Sequence, residues 1–138
     1  PLNVLPSGLS LVTGVLDKKF NFWKLDSKIR SRFIKRLYNA LVELLNRFHY
    51  DWINENIDKK NVYIVHYDKM MNDFESLMGD IIKFLGLSGS ESLKKVIAQT
   101  STKQKNYKSN HKYDLAKFEL TEKQIMTDCK NIYETFLK

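Results

Sequence analysis

At 138 residues, with 43% apolar and 12% aromatic side chains, the chain has enough material for one packed domain and too much for a disordered segment. Its formal charge of +7 favours an anionic partner without naming one. The lone cysteine, Cys129, excludes an internal disulfide and a cysteine-based zinc cluster, and no apolar run approaches the roughly 18 residues that cross a bilayer.

Residues 1–26 carry the weakest pattern. Leu and Val mix with Pro6, Ser7 and Gly8, which predicts a loop from Pro1 to Gly14. Phe20, Phe22 and Trp23 then form an aromatic cluster suited to plugging a core edge. The chain opens without Met or a signal-like segment and reads as a piece of something longer, so the expected organisation is one partial domain over residues 1–138.

From Ser27 to about Ile57 the pattern is helical. Ile29, Phe33, Leu37, Leu41, Leu44, Phe48 and Trp52 recur at spacings of three or four, with Asp26 or Ser27 as N-cap. Lys28, Arg32, Lys35 and Arg36 occupy the opposite face. Such a face can grip phosphates, although a solvated basic helix face is the commoner arrangement.

A polar turn, Asp58 to Asn61, leads into Val62-Tyr63-Ile64-Val65, whose β-branched and aromatic residues predict a buried strand at about 62–66. His66, Tyr67 and Asp68 follow at its carboxyl end, where open α/β sheets bind ligands. After a turn, Leu77, Met78, Ile81, Ile82 and Leu85 predict a helix capped by Asn72 or Asp73, with Gly86 as its left-handed stop. Helix, strand, helix is the grammar of an α/β fold.

Ser88 and Glu91 have capping-box spacing, which predicts a short helix with Leu93, Val96 and Ile97 inward, ending before Thr100. The next eighteen residues, Thr100 to Lys117, carry five lysines and one acid, a net +4, interleaved with Tyr107, His111, Tyr113 and hydroxyl residues. Lysines for phosphate, hydroxyls and amides as further donors, and an aromatic for a base make a nucleotide-binding loop; the same composition also makes a solvated loop. Thr121 and Gln124 form a second capping box, and a last helix to about Leu137 turns Ile125, Cys129, Ile132 and Phe136 inward, with Cys129 as a small core residue.

The order of hydrophobic run, Tyr-acidic pair (Tyr67-Asp68), loop, helix and Phe84-Leu85-Gly86-Leu87 resembles the C-terminal half of sulfotransferases over roughly residues 45–138. Members typically show Arg-Tyr-Glu-Asp-Leu where this chain has His66-Tyr67-Asp68-Lys69-Met70. The run Tyr107 to Tyr113 is similar to a Ser-x-His-x-Tyr pattern of part of the family. The resemblance implies a P-loop-NTPase-like, three-layer α/β domain, of which this chain would be the mostly helical C-terminal part with one strand. It also implies 3′-phosphoadenosine 5′-phosphosulfate (PAPS) as co-substrate, with Tyr67 beside the adenine and Lys105, Lys108, Ser109, His111 and Lys112 around the phosphates. The acceptor would be a hydroxyl or amine on an unidentified carbohydrate, peptide or small molecule. No nucleic-acid partner is implied, and the compartment stays open between cytoplasm and, given an upstream anchor, Golgi lumen.

No Walker-type or phosphosulfate loop (Lys-Ser/Thr-Gly-Ser/Thr) is present, and no catalytic constellation or metal-ligand spacing appears around His49, His66 or His111. No catalytic residue or metal ligand is therefore assigned, and the 138 residues alone are expected to be inactive. Two other readings remain: a small basic α-rich module that binds nucleic acid or a partner protein through Lys28, Arg32, Lys35 and Arg36, and a sulfotransferase-like scaffold without turnover.

Overall fold

The periodic run after Asp26 builds the longest element, helix α2 (Ser27–Ile53), preceded by α1 (Val4–Phe20) and followed by α3 (Tyr67–Asn72), α4 (Phe74–Phe84), α5 (Glu91–Asn106), α6 (Glu122–Asp128) and α7 (Lys130–Phe136). Short 3-10 turns lie at 22–24, 59–61 and 116–118. The computed structural model describes residues 1–106 and 114–137. These fall into two compact units, one from the described residues of 1–56 and 111–138, the other from those of 57–110.

In the first unit, α2 packs against α1 and α7. Asp26 caps it as expected, accepting from the Lys28 amide at 2.9 Å. The helix stops at Ile53, short of Ile57, where Asn54 caps it and Glu55 takes a positive φ of 58°. Its inner face contributes Ile34 and Tyr38 to a core that holds Leu5, Leu9, Phe22, Phe118, Leu120, Ile125, Cys129 and Ile132. Phe22 is the aromatic that seals the core, edge-on to Trp23 and Phe33 at 5.1 and 5.3 Å, whereas Phe20 is exposed.

The expected N-terminal loop is a helix. Pro6 sits in the first turn of α1, where its missing N–H costs no intrahelical bond. Gly8 faces α2, and a Cβ there would stand 3.0 Å from Leu41 Cδ1, so glycine serves close helix packing. Thr13, also buried, satisfies its hydroxyl by donating to the Leu9 carbonyl at 2.7 Å.

At the C-terminal end, Thr121 caps α6 through the Gln124 amide. The single expected helix is broken at Cys129 into α6 and α7, yet Ile125, Cys129 and Ile132 are buried, and the Phe136 ring packs tilted against Phe48 and edge-on to Trp52. Cys129 is a core residue, its thiol pKa raised chiefly by burial. Tyr38 ties this segment to α2 by donating its hydroxyl to Asp128 at 2.7 Å.

The second unit packs α4 against α5, and α3 against both. Here the α/β expectation fails: no strand exists among the described residues, and with it goes the three-layer sheet architecture. Residues 62–66 are extended at Val62 and His66, but the amides of Tyr63, Ile64 and Val65 find no backbone partner among the described residues, and Val65 and His66 are exposed. Strand propensity sets the backbone angles; a strand also needs a neighbour to complete its ladder, and among the described residues every long element is helical. The segment is held by side chains instead, with the Tyr63 ring against Phe84 at 5.4 Å.

Two further boundaries move. The expected turn after Asp68 is helix α3, and α4 starts at Phe74 with Asp73 as N-cap but without a side-chain cap bond. Gly86 does take the left-handed conformation, φ 66°, at the end of α4. Ser90 rather than Ser88 caps α5, accepting from the Leu93 amide at 3.2 Å, and α5 runs past Thr100 to Asn106. Thr100 and Thr102 donate their hydroxyls to carbonyls one turn earlier, which lets them sit inside a helix.

Burial first, and the Asp128 carboxylate second, raise the Tyr38 phenol well above its ordinary range. A folded-state value above the unfolded one gives stability that is complete below the ordinary phenol pKa of about 10 and is lost as pH rises toward the folded value. Urea midpoints should therefore fall above about pH 10, and Tyr38→Phe should flatten that fall. Because Cys129 and Tyr133 are raised in the same direction, the fall should lessen rather than vanish. An unchanged pH profile in Tyr38→Phe would contradict the assignment.

Candidate functional site

The residues expected at a nucleotide site centre on α3 and the end of α5. Tyr67 opens α3 directly after the extended stretch, and the residue is 59% exposed. Lys105 stands exposed in the last turn of α5, where a cation also complements the partial negative charge of a helix carboxyl end. Their helices pack against each other in the second unit. Neither side chain has an ion pair or hydrogen bond among the described residues. Lys108, Ser109, His111 and Lys112 lie outside the described residues.

The surrounding groups are mostly committed elsewhere. Lys69, two residues after Tyr67, bonds Asp80 of α4 at 2.6 Å, and the Tyr63 hydroxyl reaches the same carboxylate oxygen at 3.4 Å. Asp80 thus binds both the extended stretch and α3 to α4. The Lys69 hydrogen bond, with the lysine's charge, holds the Asp80 carboxyl below the usual range; the same bond raises the Lys69 ammonium. Sequence reading missed Asp80 because it lies inside the apolar pattern of α4; its signal is the polar position between Leu77 and Ile81. Along α5, the Thr100, Thr102 and Asn106 side chains bond their own helix, so Lys103 and Lys105 are the exposed cations of its last turn.

A model of the sulfotransferase domain matches residues 43–132, from the middle of α2 into α7. The chain belongs to the sulfotransferase domain family. Membership places it among transferases, with sulfuryl transfer as the general chemistry. Comparisons with curated proteins and with solved structures give no match. The matched segment of this sulfotransferase chain contains all of the second unit, and with it Tyr67 and Lys105.

His49 on α2 contacts Thr135 Oγ1 at 3.0 Å and sits edge-on to Phe136, while His66 is exposed. Among the described residues no group of His, Cys, Asp and Glu could hold a metal, and no helix is long and apolar enough to cross a membrane.

A lowered carboxyl pKa gives stability that is present above the ordinary value near 4 and lost as pH falls through the folded one. Exchange of the Met70 and Asp73 amides, which donate to the His66 and Lys69 carbonyls, should accordingly accelerate on acidification once corrected for its intrinsic pH dependence. Asp80→Asn should exchange fast already at neutral pH and show no further acid step. An acid step that survives in Asp80→Asn would remove the Lys69–Asp80 pair as the clamp.

Proposed function

We propose that this sulfotransferase chain supplies nucleotide-binding and acceptor-wall elements for transfer from PAPS, the donor generally used in the family. The observation that carries the reading is the sulfotransferase match over residues 43–132, which takes in Tyr67, Lys105 and the basic run behind it. In support, Tyr67 and Lys105 are exposed, uncommitted side chains on packed helices of one unit. Tyr67 would lie against the adenine. Lys105, Lys108 and Lys112 would meet the phosphates, with Ser109 and His111 as hydrogen-bonding partners.

The chemistry is displacement at sulfur. An acceptor oxygen or nitrogen attacks the sulfur as the bond from sulfur to the bridging phosphate oxygen breaks. Adenosine 3′,5′-bisphosphate leaves with that electron pair, and the acceptor's proton passes to a base outside the residues named here. Fixed cations lower the barrier by facing the charge that grows on the leaving oxygen, and tight positioning of both substrates contributes further. With no phosphosulfate loop in its sequence, the 138-residue chain should bind nucleotide without turnover.

A lost charge-assisted hydrogen bond costs about 1.5–3 kcal/mol, or roughly 10- to 150-fold in affinity. By calorimetric titration, Lys108→Ala should weaken adenosine 3′,5′-bisphosphate at least tenfold and 5′-AMP much less, with Lys105→Ala showing the same sense. Equal losses for the two ligands, or none, would make the basic run solvated charge. In a radiolabelled transfer assay, acceptor-dependent turnover by this chain alone would overturn its role as part of a site.

A further inference from the structure

The basic face of α2 has a use that the nucleotide reading does not absorb. Lys28, Arg32 and Lys35 follow at intervals of four and three, so they line one side of the helix over about 10 Å. They edge an open groove of about 540 Å³, completed by Ser27, Ser31 and Glu119. All three cations are exposed, and none of their charged groups has an ion pair or hydrogen bond among the described residues. Within the first unit this contrasts with Arg30, which donates to the Trp23 carbonyl at 2.9 Å, and with Lys117, seated 4.3 Å from the Trp23 ring centre.

The one acid in the groove narrows the choice of ligand. Glu119 is held in place by Ser31, whose hydroxyl donates to Oε2 at 2.6 Å; Oε1 has no bond among the described residues. Three cations ask for anionic groups spaced along a chain, and a fixed carboxylate oxygen asks for a hydrogen-bond donor between them. A DNA backbone carries the anions but no donor. Single-stranded nucleic acids, moreover, are usually held by aromatic stacking, and no lining residue is aromatic. A sulfated or carboxylated saccharide has both anions and hydroxyls.

We propose that this groove binds an acidic saccharide, with its sulfate or carboxylate groups on Lys28, Arg32 and Lys35 and a sugar hydroxyl on Glu119. The binding stands on the groove alone and does not require the nucleotide site to be correctly assigned.

The test is calorimetric titration of the full 138-residue chain with a heparin octasaccharide, a neutral maltooligosaccharide and a single-stranded DNA of matched charge, at near-physiological salt. The heparin fragment should bind more tightly than the DNA, and the neutral sugar should not bind. Exchanging Lys28, Arg32 and Lys35 together for Ala should weaken heparin roughly tenfold or more, while the charge-matched exchange of Lys60, Lys83 and Lys95 should change it little. Arg32→Ala alone should weaken it in the same sense, with an unaltered melting curve. Glu119→Ala gives the deciding sign. Loss of a sugar contact weakens heparin, whereas removal of a negative charge from a purely electrostatic patch tightens it. Tighter binding in Glu119→Ala, equal loss in the two triple variants, DNA at least as tight as heparin, or no heparin binding would each overturn the proposal.

Discussion

The first unit depends on a contact between residues far apart in the chain. Tyr38, buried on α2, bonds Asp128 ninety residues later, and Ser31 bonds Glu119 at nearly the same separation. Closing a loop of that length costs entropy that grows only slowly with its length, so a few well-buried contacts suffice to hold it shut. Here they are Ile34 and Tyr38 against Ile125, Cys129 and Ile132. The chain can then leave α2, build a second unit from residues between 57 and 110, and return. The same closure fixes Glu119 beside Ser31, which gives the basic face of α2 an opposing wall.

Wherever one stretch contained its own reason for folding, the sequence was legible. The three-and-four spacing does mark α2, although the residues it buries are Ile34 and Tyr38 while Ile29 and Leu44 of the expected row are exposed; Asp26 caps it, Thr121 caps α6, and Gly86 ends α4. Misreadings arose where a residue's effect depends on position or on a partner. Pro6 and Gly8 read as loop residues until Pro6 is placed in a first turn and Gly8 against Leu41. Val62 to Val65 have the composition of a buried strand, yet the described residues offer only helices and side chains to pack on, and the stretch stays extended without a ladder. Thr100 and Thr102 look like loop hydroxyls, but back-bonding carries α5 through them to Asn106.

The candidate site divides along the same line. Tyr67 and Lys105, expected at a strand's end and in a loop, stand exposed on helices that pack together. Asp80, which fixes Lys69 and Tyr63, was not legible, because an acid inside an apolar helical pattern announces no partner until the helices are placed. The basic face of α2 shows the reverse. Its four cations were visible at once, but only Glu119, brought from far along the chain, turns three of them into a groove with chemical preferences.

In the proposed role, Tyr67, Lys105 and the basic run behind them hold the bisphosphate of a sulfuryl donor. The most direct measurement is a titration of the isotopically labelled chain with adenosine 3′,5′-bisphosphate, followed by amide chemical shifts. Binding there gives saturable shifts at Tyr67 and its neighbours in α3, in the last turn of α5 around Lys105, and at Lys108 to Lys112, and none along Lys28 to Lys35. Shifts confined to α2, or weak shifts spread over lysines throughout the chain, would contradict it.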